Sequence, residues 1–215
     1  MRQREQATDK REAILETALV LFTERGFYGT PTAMISREAG VATGTLFFYF
    51  KTKEELIDAL YRQIKGEAGA ALRQGVEKER TIQAKICRVG KNAIAWGIRN
   101  PEKFRFMEQF ACSPFVSTTA HEEGMSHFRF LQELVREGIR EGVIRDYDPE
   151  LLCSVLASSL SGLPSRIMAT PDPKKREMLI RQGLAFLWNG LATHPDTKKT
   201  VREATGHEPE NRRSR

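Results

Sequence analysis

Apolar residues recur at helical spacing along almost the whole chain, with no strand-like alternation over any length, so the pattern predicts an all-α protein. The first stripe is Ile14, Ala18, Leu21 and Phe22, opened by the Asp9 and Glu12 capping pattern and closed at Gly26. A short helix is expected next, with Thr30 as N-cap, Pro31 just inside it, and Thr32, Ile35 and Ala39 facing inward. Gly40 stands where a left-handed residue ends such a helix. Val41 then returns to the core, Thr43 reads as the cap of a second short helix, and Leu46 and Phe50 share its inner face. A third helix begins at once, with Thr52 as N-cap and Glu55 completing a capping box. Its stripe of Leu56, Leu60 and Ile64 runs on through the glycines and alanines of 66–75 toward a polar stretch at 77–80.

Beyond it the helical period continues. Helices are predicted over 81–99 and over Pro101–Cys112, the second carrying Phe104, Met107, Phe110 and Ala111 on one face. A polar loop from Ser113 to about Thr119 leads to one helix ending at Arg140, with Met125, Phe128, Leu131, Leu134 and Val135. Gly142 and the stretch 146–149 separate it from a last pair. In the first of these, 151–169, Leu152, Leu156, Leu160, Leu163 and Ile167 form one stripe, and Ser154, Ser158, Ser161 and Ser165 another, with Pro164 as a kink. The final helix starts at Asp172-Pro173, ends at His194-Pro195 and is apolar on several sides. Small residues permit close approach of helices, so this pair is expected either to form a four-helix bundle with a second copy or to close the monomer's own core. The expected organisation is a three-helix unit at 1–65, a larger helical domain at 66–195 and a polar tail at 196–215.

The stretch 30–50 carries the chemistry. Its outward set is Thr43, Gly44, Thr45, Phe48 and Tyr49, a slim helix start followed by aromatics that a soluble monomer has little reason to expose. Such a tip fits a DNA major groove, where the first residues of a recognition helix reach base edges and phosphates. Lys53, in the first turn of the next helix, is disfavoured there by the helix dipole, which points to a phosphate beside it. Singly these are ordinary surface residues; as a cap, turn and cap in series they indicate DNA binding.

Gly26-Phe27, Thr30, Ile35, Ala39-Gly40-Val41, Gly44-Thr45-Leu46, Tyr49-Phe50 and Lys53-Glu54 resemble, in register, the N-terminal signature of the TetR family of bacterial transcriptional regulators. The resemblance runs from about Lys10 to Leu60. It implies an N-terminal helix-turn-helix domain, a C-terminal helical domain for ligand binding and dimerisation, and a homodimer on a palindromic double-stranded operator. By position it places DNA contacts on Thr32, Thr43, Gly44, Thr45, Phe47, Phe48, Tyr49 and Lys53. Two departures stand out: the family often has Lys at Thr43 and Tyr at Phe47, so one phosphate charge and one phenol donor are missing here.

Composition adjusts this picture. The net charge of +6 over 215 residues suits a polyanion, yet residues 1–65 hold ten Lys or Arg against nine Asp or Glu, so placement rather than bulk charge carries the DNA reading. Arg2 and Arg4 serve either as a minor-groove arm or as a plain tail. No secretory signal or uninterrupted membrane span is evident, so a cytoplasmic protein without a membrane partner is expected. Cys87, Cys112 and Cys153 form no CxxC pair; burial is expected for all three, with a redox switch at Cys112 the alternative. No HExxH, GxSxG or phosphate-loop motif appears, His121 and His127 fall on different sides of a helix, and no enzyme, metal or cofactor is expected. Trp96, Phe104, Met107, Phe110, Phe115 and Phe128 are the candidate lining of an apolar effector cavity, or else ordinary core. The expected function is an effector-released repressor; an activator or a non-sequence-specific DNA-binding module are the alternatives.

Overall fold

The computed structural model describes the backbone of residues 2–193 and the side chains of residues 9–193. The side chains of Arg2 and Arg4 and the tail at 196–215 therefore lie outside the described residues. Helices make up the described chain: α1 (Arg2–Arg25), α2 (Thr32–Glu38), α3 (Thr43–Tyr49), α4 (Lys53–Arg73), α5 (Ile82–Arg99), α6 (Pro101–Phe110), α7 (Thr118–Ser126), α8 (Arg129–Arg140), α9 (Pro149–Ser161), α10 (Leu163–Met168) and α11 (Pro173–Leu191), with a 3₁₀ turn at Val76–Lys78. The all-α expectation holds.

The first three elements after α1 follow from their caps and apolar spacing, with corrections at the caps. Helix α1 begins ahead of Asp9, which sits inside it rather than capping it. Pro31, not Thr30, occupies the N-cap position of α2, and no side chain caps that end. Thr30 is instead fully buried, its hydroxyl donating to the Gly26 carbonyl at 2.8 Å with the Leu21 carbonyl 3.1 Å away. Gly26 and Gly40 take the left-handed φ values of 69° and 67° that end α1 and α2, a conformation a β-carbon would strain. Thr43 lies within α3, after the uncapped Ala42, and its hydroxyl meets the buried Ser36 hydroxyl at 3.1 Å. Thr52 does cap α4, accepting from the Glu55 amide, while the Glu55 carboxylate accepts from the Lys51 amide.

One apolar cluster joins Ile14, Leu15, Ala18 and Phe22 of α1 to Ile35, Leu46 and Phe50, to Leu56, Leu60 and Ile64 of α4, and on to Trp96, Phe106 and Phe110. It crosses the expected boundary at 65/66 without a break. Two smaller clusters hold the remaining helices, one around Ile82, Leu134, Val135 and Leu152, the other around Ile94, Ile167 and Leu184. Helix α6 stops at Phe110 rather than Cys112, and its most deeply buried ring is Phe106, absent from the expected face.

The helix expected to run unbroken to Arg140 is two, α7 and α8, parted at His127 and Phe128. The break has a packing cause: a β-carbon at Gly69 of α4 would lie 2.7 Å from the His127 β-carbon, so the junction is pressed onto a helix that is bare there. The kinked helix at 151–169 is likewise two, α9 and α10, meeting at Gly162. Pro149–Met168 reaches a mean hydropathy of 1.3 over 18 residues and is long and apolar enough by composition to cross a membrane, but this break divides it. Its Leu152 and Ile167 are buried and Leu156, Leu160 and Leu163 pack beside them, whereas Ser154, Ser158 and Ser165 are exposed, as their two stripes imply.

Replacing Gly69 by Ala is expected to destabilise the fold by about 1–2 kcal/mol, because overpacking against His127 outweighs the usual gain of Ala over Gly in a helix. Thermal unfolding checks this; an unchanged or raised midpoint would mean that the junction is not pressed against α4.

Candidate nucleic-acid interface

The side chains expected to touch DNA gather on α3 and its edges. Thr43, Gly44, Phe47 and Phe48 are exposed, Thr45 and Thr32 half-buried. Phe48 is 72% exposed, and the edge of its ring meets Tyr49 at 5.2 Å between centroids. Tyr49 itself leans on the core beside Met34 and Val41. Gly44 lies one turn before Phe48 on the same face, and a β-carbon there would meet nothing within 4 Å. A glycine inside a helix costs roughly 0.5–1 kcal/mol against alanine, and among the described residues no contact repays it. The bare position is open to something approaching from outside.

Lys53 is placed differently. Its ammonium donates to the carbonyls of Phe27 at 2.8 Å and Thr30 at 3.3 Å and rests 4.0 Å from the centre of the Phe27 ring. Burial moves its pKa below the ordinary lysine value, with Glu54 acting the other way. Two of its three donors thus secure the turn before α2, leaving one for a phosphate. The exposed cations nearest α3 in sequence are Lys51 and Arg37, the latter 3.6 Å from the Glu38 carboxylate.

That turn is tied to the far side of the molecule. The Phe27 ring stacks on Phe115 at 4.2 Å and 5°, and on Phe22 at 5.9 Å; Phe22 in turn meets Phe110 edge-on at 6.2 Å. Phe115 sits in the connection between α6 and α7, so both α6, through Phe110, and the segment after it reach the turn through stacked rings.

The six candidate effector residues all join this shared cluster. Trp96 and Phe110 are buried in it, and Phe104, Met107, Phe115 and Phe128 pack against its edge. They act as core here, and two open surface recesses lie elsewhere, at the end of α4 near Arg73 and Glu77 and around Arg99 to Lys103. A polar seam missed by sequence reasoning runs beside them, where α4 packs on α7. Asp58 accepts from the Ser117 amide and hydroxyl, Arg62 pairs with Glu123, and the Tyr61 hydroxyl meets His121 Nδ1 at 3.1 Å. Burial, helped by Cys112, pushes the Tyr61 phenol up to about 12. Lys65 faces the rings of Tyr61 and Phe128 and the Met125 sulfur, and burial draws its pKa down. The signal was a set of polar residues at 58, 61, 62 and 65, the inner flank of an amphipathic helix; nothing local pointed to their partners about 60 residues away.

Among the described residues no group of three His, Cys, Asp or Glu is placed to hold a metal ion. The cysteines are free, Cys112 exposed and the other two half-buried.

Comparison with known proteins bears on the same elements. The profile of the family described as bacterial regulatory proteins, tetR family, matches residues 14–60, which span the second half of α1 through the first turns of α4. A crystal structure of a tetR family transcription regulator from Shewanella sp. PV-4 is 32% identical, with a TM-score of 0.80 over 86% of this chain and 99% of that one. The HTH-type transcriptional regulator UidR of Escherichia coli (strain K12) is 24% identical over 203 residues, 87% of this chain and 95% of UidR. FadR of Bacillus subtilis, solved in complex with stearoyl-CoA, shares the fold with a TM-score of 0.69 at 18% identity, over 85% of this chain and 99% of FadR.

Gly44→Ala separates the two uses of that position. It is expected to stabilise the free protein by up to about 1 kcal/mol, since nothing nearby resists the added methyl, and to weaken specific DNA binding by roughly tenfold, the cost of one clash at a tight interface. Thermal unfolding and DNA titration check the two halves; tighter DNA binding would remove α3 from the interface.

Proposed function

Because the chain belongs to the TetR family of bacterial regulatory proteins, we propose that this DNA-binding transcriptional regulator is a homodimeric repressor that leaves a palindromic operator when an apolar or aromatic small molecule binds among its C-terminal helices. The observation that carries the reading is the ring stack from Phe110 through Phe22 and Phe27 to Phe115, which joins the effector candidates to the turn ahead of α2. An apolar ligand seated among Trp96, Phe104, Met107, Phe110, Phe115 and Phe128 must displace packed rings, and any shift of Phe115 bears on Phe27. The FadR complex with stearoyl-CoA supports a ligand with a long apolar part.

Residues 1–65 serve as the DNA-binding part and 66–195 as the effector and dimer part, although they share a core. Thr32, Thr43, Gly44, Thr45, Phe47, Phe48 and Tyr49 contact the operator; Lys53 supports the turn and offers its remaining donor to a phosphate. Dimerisation falls to α9 and α11, where Leu151 is 56% exposed, Val155 52% and Phe186 77%, an apolar surface that a monomer leaves in water. A bundle of these helices across a two-fold axis sets two recognition helices about 34 Å apart, one turn of DNA. Release then requires that the ligand favour a different spacing, and each ~1.4 kcal/mol of preference weakens DNA binding tenfold. Regulators of this family are generally not enzymes, and the reading assigns the chain no catalysis and a place in the cytoplasm, with the DNA.

Selection from a random DNA pool in about 0.15 M salt with excess competitor is expected to enrich a palindrome. Thr45→Val and Tyr49→Phe should each lower affinity for it by about 0.5–1 kcal/mol, the net worth of one neutral hydrogen bond, while leaving competitor binding unchanged. Members of an apolar ligand panel that raise the thermal midpoint should also release the DNA. Well-folded dimer that enriches no sequence would contradict the reading; enrichment without release by any stabilising ligand would leave a regulator that is not effector-released.

A further inference from the structure

The recognition helix α3, Thr43–Tyr49, contains no arginine, lysine, asparagine, glutamine, aspartate or glutamate. Those side chains read bases most specifically: Arg or Lys spans the two acceptors of guanine, Asn or Gln pairs with adenine, and Asp or Glu accepts from cytosine. None of these contacts can come from α3. Its polar groups are three hydroxyls, and a hydroxyl tolerates several base edges. One of them, on Thr43, is engaged by the Ser36 hydroxyl at 3.1 Å, and another belongs to Tyr49, half-buried against the core.

What α3 does present is hydrocarbon. Phe48 stands 72% exposed, supported from the side by the Tyr49 ring, with the bare position of Gly44 one turn before it and half-exposed Phe47 on the adjacent face. A phenyl ring in the major groove has one methyl group to pack on, the C5-methyl of thymine, which is the largest apolar group there; the N7, O6, N6, O4 and N4 groups are hydrogen-bonding groups that a ring desolvates without satisfying. The neighbouring cations do not alter this. Arg37 belongs to α2 and lies beside Glu38, and Lys51 follows α3 beyond the buried Phe50, so both fall outside the recognition helix, and cations flanking such a helix commonly contact the phosphate backbone.

Resting on the reading of α3 as the DNA-contacting helix, we infer that this regulator selects its operator chiefly by thymine methyl groups packed against Phe48 and Phe47, so each half-site centres on A·T base pairs rather than on guanines. Phe48 is the principal specificity-determining residue, and Gly44 provides the clearance that lets its ring reach the base edge. The same arrangement predicts that cytosine methylated at C5 mimics thymine at these positions, since it carries the same methyl group.

The test begins with the operator enriched from a random pool. Each thymine is replaced in turn by deoxyuridine, which removes only the methyl group and keeps every hydrogen-bonding atom. The expected result is one or two positions per half-site where replacement weakens binding about fourfold, or about fifteenfold when made in both half-sites, as the loss of one buried methyl implies. Phe48→Ala, at a solvent-facing position, is expected to fold normally, bind more weakly and become indifferent to the methyl at the position Phe48 covers. Placing 5-methylcytosine there should restore wild-type binding relative to cytosine and leave Phe48→Ala unaffected. A half-site enriched for guanines and insensitive to deoxyuridine would overturn the inference while leaving the protein a sequence-specific regulator. So would a Phe48→Ala variant that keeps full methyl sensitivity. No enriched sequence at all would overturn the reading of α3 as the DNA-contacting helix, and this inference with it.

Discussion

The turn from Gly26 to Thr30 is the constraint on which the rest of the molecule leans. It ends α1, aims α2, and is gripped from three sides: by its own buried Thr30 hydroxyl, by the Lys53 ammonium on two of its carbonyls, and by Phe115 stacked on Phe27. Each grip comes from a different part of the chain. Helices α2 and α3 are only seven residues each, too short to be stable alone, so their orientation is inherited from this turn and from the core beneath Ile35, Leu46 and Phe50.

Because the grip is shared, the DNA-contacting part and the C-terminal helices are not separate bodies resting against each other. Rings at α6 meet Phe22 directly and Phe27 only through it, and the amphipathic helix α4 carries the polar seam of Asp58, Tyr61, Arg62 and Lys65 along α7. On the proposed function, two routes lead from the effector candidates to α3, one through aromatic packing and one through the tilt of α4. Their stiffness differs. Stacked rings resist small displacements and then slip, whereas side-chain hydrogen bonds at a half-exposed helix interface can be exchanged for water.

Much of this was legible in the residues themselves. The apolar period placed the helices, Gly40 marked the left-handed exit from α2, and Thr52 with Glu55 marked the start of α4, because each of these signals is local. Local signals also misled where tertiary structure competed for the same group. Thr30 has the chemistry of an N-cap, yet its hydroxyl is drawn to the Gly26 carbonyl; Lys53 has the charge of a phosphate ligand, yet carbonyls 23 and 26 residues earlier claim most of it. Phe106 escaped notice because α6 is aromatic on two sides, and only its neighbours decide which side is inner. The break between α7 and α8 depends on bare Gly69, more than 50 residues earlier, and no window of sequence contains both.

The central claim, that the turn transmits the state of the C-terminal helices to the helix-turn-helix, is tested most directly by native-state hydrogen exchange of the Ile35 and Leu46 amides in wild type and in Phe115→Ala. Phe115 lies in a loop some 70 residues further along the chain and touches neither α2 nor α3 in its stacking contacts. Loss of its stack on Phe27 is expected to speed exchange at both amides about tenfold, the effect of one aromatic pair removed. Unchanged protection of α2 and α3, with faster exchange confined to α6 and α7, would contradict the claim.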